Sequence, residues 1–143
     1  TEEVSKPNGL ALSPDETVLY VVNSEETNVS AFDVGPDGTL TNHRIWIDMD
    51  YDLEGPGDGM KVDVEGNAYV TGPGGVWVVE PDGTALGIIR HGGQATNCAF
   101  YGFDSRLLFV TATNGTYVAR LKVPGISVYD RGPEGGAGVA WAT

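Results

Sequence analysis

Residues 19–34, LYVVNSEETNVSAFDV, join a short apolar run to a second one across a polar turn. The same design returns as AYVTGPGGVWVVEP at 68–81 and as LFVTATNGTYVARL at 108–121, at steps of 49 and then 40 residues. Alternating runs of this length read as strands, and the Asp, Asn, Gly and Pro between them are turn formers. Working outward, each pair gains a weaker run on either side, such as Gly9–Leu12 before the first and Arg44–Ile47 after it. Four short strands within about 40–50 residues is the arithmetic of one β-propeller blade.

The expected strands are 9–12, 18–22, 28–34, 44–47, 60–64, 68–71, 75–79, 85–89, 98–100, 107–111 and 116–121, with turns at 13–16, 36–38, 65–67, 81–83 and 104–106. Helical periodicity is nearly absent, because 21 glycines and 8 prolines leave no room for it. The fold class is therefore all-β, a β-propeller in which blades occupy about 7–50, 56–93 and 95–123 of a single domain, 1–143. Residues 124–143 begin a further blade or form a loop. Closed propellers take about four to eight blades. Three blades predict either a part of a longer propeller or a chain that self-associates to cover its open edges.

Composition narrows the function. Eight Lys and Arg against 20 Asp and Glu give a net charge of −12, which repels a phosphate backbone and excludes nucleic acid as a partner. No apolar run approaches the ~18 residues of a membrane span. The expectation is a soluble, cytoplasmic protein, periplasmic or secreted if a leader precedes Thr1. Cys98, the single cysteine, has no disulfide partner within the chain and reads as a buried, inert thiol. With two histidines, His43 and His91, and neither GxSxG nor HExxH, the chain matches no Ser-His-Asp hydrolase or zincin motif. Asp48-Met-Asp-Tyr-Asp starts like an EF-hand loop and then fails, with Leu53 at the sixth position and Gly59 at the twelfth. The three tryptophans, Trp46, Trp77 and Trp141, are expected in blade packing.

Aligning the repeats on their second strands exposes a common register. Asn8 stands twelve residues before Tyr20, Asp58 eleven before Tyr69, and Asn97 twelve before Phe109, each followed by a small residue and an apolar one. The first strand of a propeller blade lines the central channel, so these positions converge on one axis. Carboxylate and amide oxygens gathered there suit a hard divalent cation. The competing reading is three Asx turns, each bonding its own backbone.

The segments KPNGLALSPDETVLYVVNS, FDVGPDGTL, GDGMKVDVEGNAYVTGPGGVWVVEPDGTALG and TNCAFYGFDSRLLFVTA resemble the gluconolactonase family, also called the senescence marker protein 30 or regucalcin-like family. The resemblance runs from about residue 6 to 121. It implies a six-bladed propeller holding one divalent metal in its channel, calcium in many members and zinc, manganese or magnesium in others. It implies a hydrolase that opens lactones, typically those of sugar acids, with this chain as the C-terminal portion. Asn8 of PNGL then matches a metal-binding Asn, and Asp58 of GDGM the metal-binding Asp that is also the general acid/base. Asn97 of TNCAF sits at a substrate or channel position. A glutamate ligand is implied from an opening blade ahead of Thr1, and so is weak or no activity of this chain by itself. The alternative function is a propeller that binds calcium or a partner without catalysis.

Overall fold

The computed structural model describes residues 2–49 and 52–126. Eleven strands and no helix form among them: β1 (Pro7–Leu12), β2 (Val18–Asn23), β3 (Asn28–Val34), β4 (Leu40–Asp48), β5 (Met60–Val62), β6 (Ala68–Gly72), β7 (Gly75–Val79), β8 (Ala85–Ile89), β9 (Ala95–Tyr101), β10 (Leu107–Ala112) and β11 (Gly115–Arg120). All pairings are antiparallel, and the sheets are meanders in chain order, β1-β2-β3-β4, β5-β6-β7-β8 and β9-β10-β11. Trp141 and most of the 124–143 segment lie outside the described residues.

Each sheet buries a face against the next because its strands alternate. Tyr20, Val22, Val29, Ala31 and Ile47 of the first sheet meet Met60, Val62, Ala68, Val70, Trp77 and Val79 of the second. The second sheet's other face, with Tyr69 and Val76, packs on Cys98, Leu108 and Val110 of the third. The middle sheet is thus covered on both sides, which is why its strands read as nearly continuous apolar runs. Trp46 crosses the first junction, its ring tilted against Tyr20 with centroids 4.4 Å apart and its Nε1 donating to the Pro81 carbonyl at 3.0 Å.

The turns explain many of the acids. Asp15 accepts from the Ser13 and Thr17 hydroxyls at 2.6 and 2.9 Å, Asp37 from the Thr39 hydroxyl at 2.7 Å, and Asp82 from the Thr84 N–H at 2.9 Å. These bonds to the ionised form hold the three carboxyls below the usual range. They are Asx-type clamps in the D-x-T pattern rather than ligands.

Several strands run past their expected bounds, β9 most plainly at Ala95–Tyr101 instead of 98–100 and β1 from Pro7 instead of Gly9, and two further differences have a clear cause. β5 stops at Val62 instead of Val64, because the Asp63 side chain folds back to cap the turn and its backbone bridges Gly125. β4 runs from Leu40, well before Arg44, since register shifts opposite β3 let the extra residues keep pairing. After β11 the chain returns to the second sheet, where Val64 N donates to the Pro124 carbonyl at 3.0 Å.

Candidate metal centre at the strand heads

β1, β5 and β9 are the first strands of the three sheets and lie side by side. Two backbone bonds stitch their heads together: Gly9 N to the Asp58 carbonyl at 2.8 Å, and Gly59 N to the Thr96 carbonyl at 3.1 Å. Bulges make these bonds available. β1 carries one extra residue between Pro7 and Leu10, and β9 one between Ala95 and Asn97, so local N–H and C=O groups leave their own sheet and reach the neighbouring one. Glycine is required at the seams. A β-carbon on Gly9 would overlap the Asp58 carbonyl, and one on Gly59 would overlap the Asn97 side chain.

Asn8, Asp58 and Asn97 therefore occupy successive heads in one row. Asp58 is held by its N–H on the Thr71 carbonyl at 2.9 Å, while Thr71 returns its own N–H and hydroxyl to the Gly59 carbonyl at 2.8 and 2.9 Å. Asn8 is oriented by its Nδ2, which donates to Ser24 Oγ at 3.1 Å; that hydroxyl donates onward to the Gly57 carbonyl at 2.6 Å. The Asn8 carbonyl oxygen is thereby turned away from Ser24. Asn97 differs from both: its Oδ1 accepts the Cys98 N–H at 2.8 Å, a local bond of the Asx kind. Asp58 is half-buried, and the two asparagines are exposed.

The donor set can be tested against a divalent cation. The Asp58 carboxylate accepts no hydrogen bond among the described residues, so its oxygens are unspent. A carboxylate and an amide oxygen are hard donors, of the kind calcium, magnesium and manganese take and zinc also accepts. Among the described residues no group of three or more His, Cys, Asp and Glu is placed to hold a metal.

Other chemistry is blocked by burial. His43 Nε2 lies 3.0 Å from Ser30 Oγ and its Nδ1 4.0 Å from Glu3, in the order of a hydrolase triad, yet Ser30 is 1% exposed and cannot meet a substrate. Burial pushes the Cys98 thiol up to about 12, which removes it as a nucleophile. His91 stacks on Tyr117 at 4.8 Å.

Residues beyond the three asparagine and aspartate positions support the row. Thr71 and its counterpart Thr111 are the penultimate residues of the second strands of their sheets and bond the heads, Thr111 Oγ1 contacting the Asn97 carbonyl at 3.4 Å. Their signal was the shared final Thr of AYVT and LFVT, where the first repeat has Val22. Lys61, on β5, was not singled out by spacing at all.

Comparison with known proteins agrees on the lineage. The sequence profile described as SMP-30/Gluconolactonase/LRE-like region matches residues 1–114. A gluconolactonase from Zymomonas mobilis is 37% identical over 131 residues, 85% of this chain and 36% of that protein. Regucalcin of Danio rerio is 34% identical over 116 residues, 78% of this chain and 39% of its own length. Among solved structures, a gluconolactonase from Xanthomonas campestris superposes with a TM-score of 0.72 at 33% identity, over 86% of this chain and 39% of that one. A calcium-binding regucalcin from Agrobacterium tumefaciens superposes at 0.75 and 25% identity, over 87% and 48%. The chain thus spans between about a third and a half of the proteins it matches. With the match covering most of its length, the chain belongs to the SMP-30/gluconolactonase/LRE-like family.

Proposed function

We propose that this chain carries part of the active site of a divalent-metal-dependent hydrolase that opens sugar-acid lactones, of which it forms the C-terminal portion within a six-bladed propeller. The observation that carries the proposal is the row of heads, in which an unspent Asp58 carboxylate, just ahead of β5, and the oriented Asn8 amide of β1 stand on segments joined by the Gly9–Asp58 backbone bond. The names of the relatives, gluconolactonase and regucalcin, supply the reaction class and the preference for calcium. Magnesium, manganese and zinc are the other candidates.

Asn8 and Asp58 would hold the cation, and a bound cation would polarise the lactone carbonyl and lower the pKa of water. Two side-chain oxygens fall short of the six to eight that calcium takes, so further oxygens beyond Asn8 and Asp58 would be needed to hold it. Asp58 accepts a proton from the attacking water and returns one to the leaving alkoxide. Thr71 fixes the backbone at Asp58 and Gly59, which keeps the carboxylate from drifting as it takes up and gives back the proton. Asn97, with Oδ1 spent on Cys98 N–H, presents Nδ2 and serves substrate rather than metal.

The test is pH-stat hydrolysis of D-glucono-1,5-lactone by the chain with calcium, with EDTA, and as Asp58→Asn. The expectation is weak turnover above the spontaneous rate, abolished by EDTA and reduced at least 100-fold by the substitution, on the scale of losing a general base. Turnover that survives both treatments contradicts the proposal.

A further inference from the structure

We propose that Lys61 and the Asn97 amide form a carboxylate-binding subsite that holds the ring-opened hydroxy acid; the inference deepens the hydrolase reading and rests on it for the identity of the ligand.

Lys61 sits on β5 between Met60 and Val62, both buried in the first core, so strand alternation turns it the other way, towards β9. There it lines an open hollow of about 380 Å³ with Asn97, Cys98, Ala99, Phe109 and Thr111. The ammonium carries three protons, and one is committed, to the Met60 carbonyl at 2.8 Å. No carboxylate pairs with it among the described residues, whereas Arg44 and Arg120 are each tied to an aspartate. Asn97 adds two further protons: its Oδ1 takes the Cys98 N–H, so Nδ2 is left as a donor.

A half-buried cation beside an amide donor matches a carboxylate. In a protein of net charge −12 the general field repels such a ligand, so this hollow is a local exception to it. Hydrolysis of a lactone consumes one water and yields a hydroxyl and a carboxylic acid, which at neutral pH releases its proton. The intact lactone is neutral and gives the ammonium no charge to pair with. The subsite therefore favours product over substrate, and the expected consequence is product inhibition that weakens with salt.

The experiment is calorimetric titration of the full chain with D-gluconate in the presence of EDTA, so that carboxylate–metal contacts contribute nothing. Sorbitol, which has the same hydroxylated chain and no carboxylate, is the control. Lys61→Met, which keeps the aliphatic stem, is expected to weaken gluconate at least tenfold, while Lys61→Arg stays within about threefold of the parent; sorbitol affinity is the same in all three. Thermal unfolding midpoints of the variants check folding, and Lys61→Arg carries the test should Lys61→Met unfold, because its gluconate affinity must then still fall with added NaCl. Gluconate binding that is undetectable, indifferent to Lys61→Met, or equalled by sorbitol overturns the subsite. Lys61-dependent gluconate binding in a chain that opens no lactone supports the subsite and refutes the hydrolase reading; lactone opening with Lys61-independent gluconate binding does the reverse.

Discussion

Asp58 and Asp63 stand five positions apart on one strand run and do opposite work. Asp63 is fully buried and saturated: it accepts the N–H groups of Glu65 and Asn67 at 3.0 and 2.9 Å, the Asn67 side-chain amide, and the Tyr69 hydroxyl at 3.2 Å. Burial, and then the Asp63 charge, push the Tyr69 phenol well above its ordinary range, so it remains a neutral donor. The Asp58 carboxylate, by contrast, accepts no hydrogen bond among the described residues. Removing Asp63 strands several donors in the interior, each costing about 1–3 kcal/mol. Asp63→Ala is expected to lower stability by at least about 3 kcal/mol in urea denaturation, while Asp58→Asn stays within about 0.5 kcal/mol without metal. Equal losses at the two sites would contradict this division between a structural and a functional acid.

At the scale of elements, the strands were legible because alternation and turn chemistry agree. AYVT, VWVV and LFVT place their apolar residues at the spacing a two-faced sheet needs, and DGT or EGN at the turns makes the reversals. Where β5 ends was not legible, since Val64 continues the alternating pattern and only the capping bonds of Asp63 show why the pairing stops at Val62. The heads were legible in part. A common register drew attention to Asn8, Asp58 and Asn97, but the bulges and the seam bonds from Gly9 and Gly59 depend on which strands become neighbours, and one sequence does not print that. Lys61 was hidden for the same reason: in MKVDV a single Lys reads as a solvated residue, and its neighbour is β9, more than 30 positions away.

For the molecule as a whole, among the described residues, the middle sheet is covered on both faces and each end sheet keeps an exposed apolar face. Leu10 and Ile45 of the first sheet are 63% and 50% exposed, and Tyr101 and Val118 of the third are 66% and 58%. Apolar faces of this kind at both ends favour association, which we infer for the chain in solution. Sedimentation velocity is expected to show species above 15.1 kDa that grow with concentration and with added salt, because screening relieves the repulsion of a −12 chain. A single monomeric boundary at every concentration would contradict the inference. The row of heads is the other property of the whole: it exists because three sheets bring their first strands together, and the proposed chemistry depends on it. The most direct measurement is a crystal structure of the chain grown in calcium. A cation within about 2.3–2.6 Å of an Asp58 carboxylate oxygen and of Asn8 Oδ1 is the predicted result; calcium bound elsewhere, or Asn8 and Asp58 left without it at saturating concentration, would contradict the account.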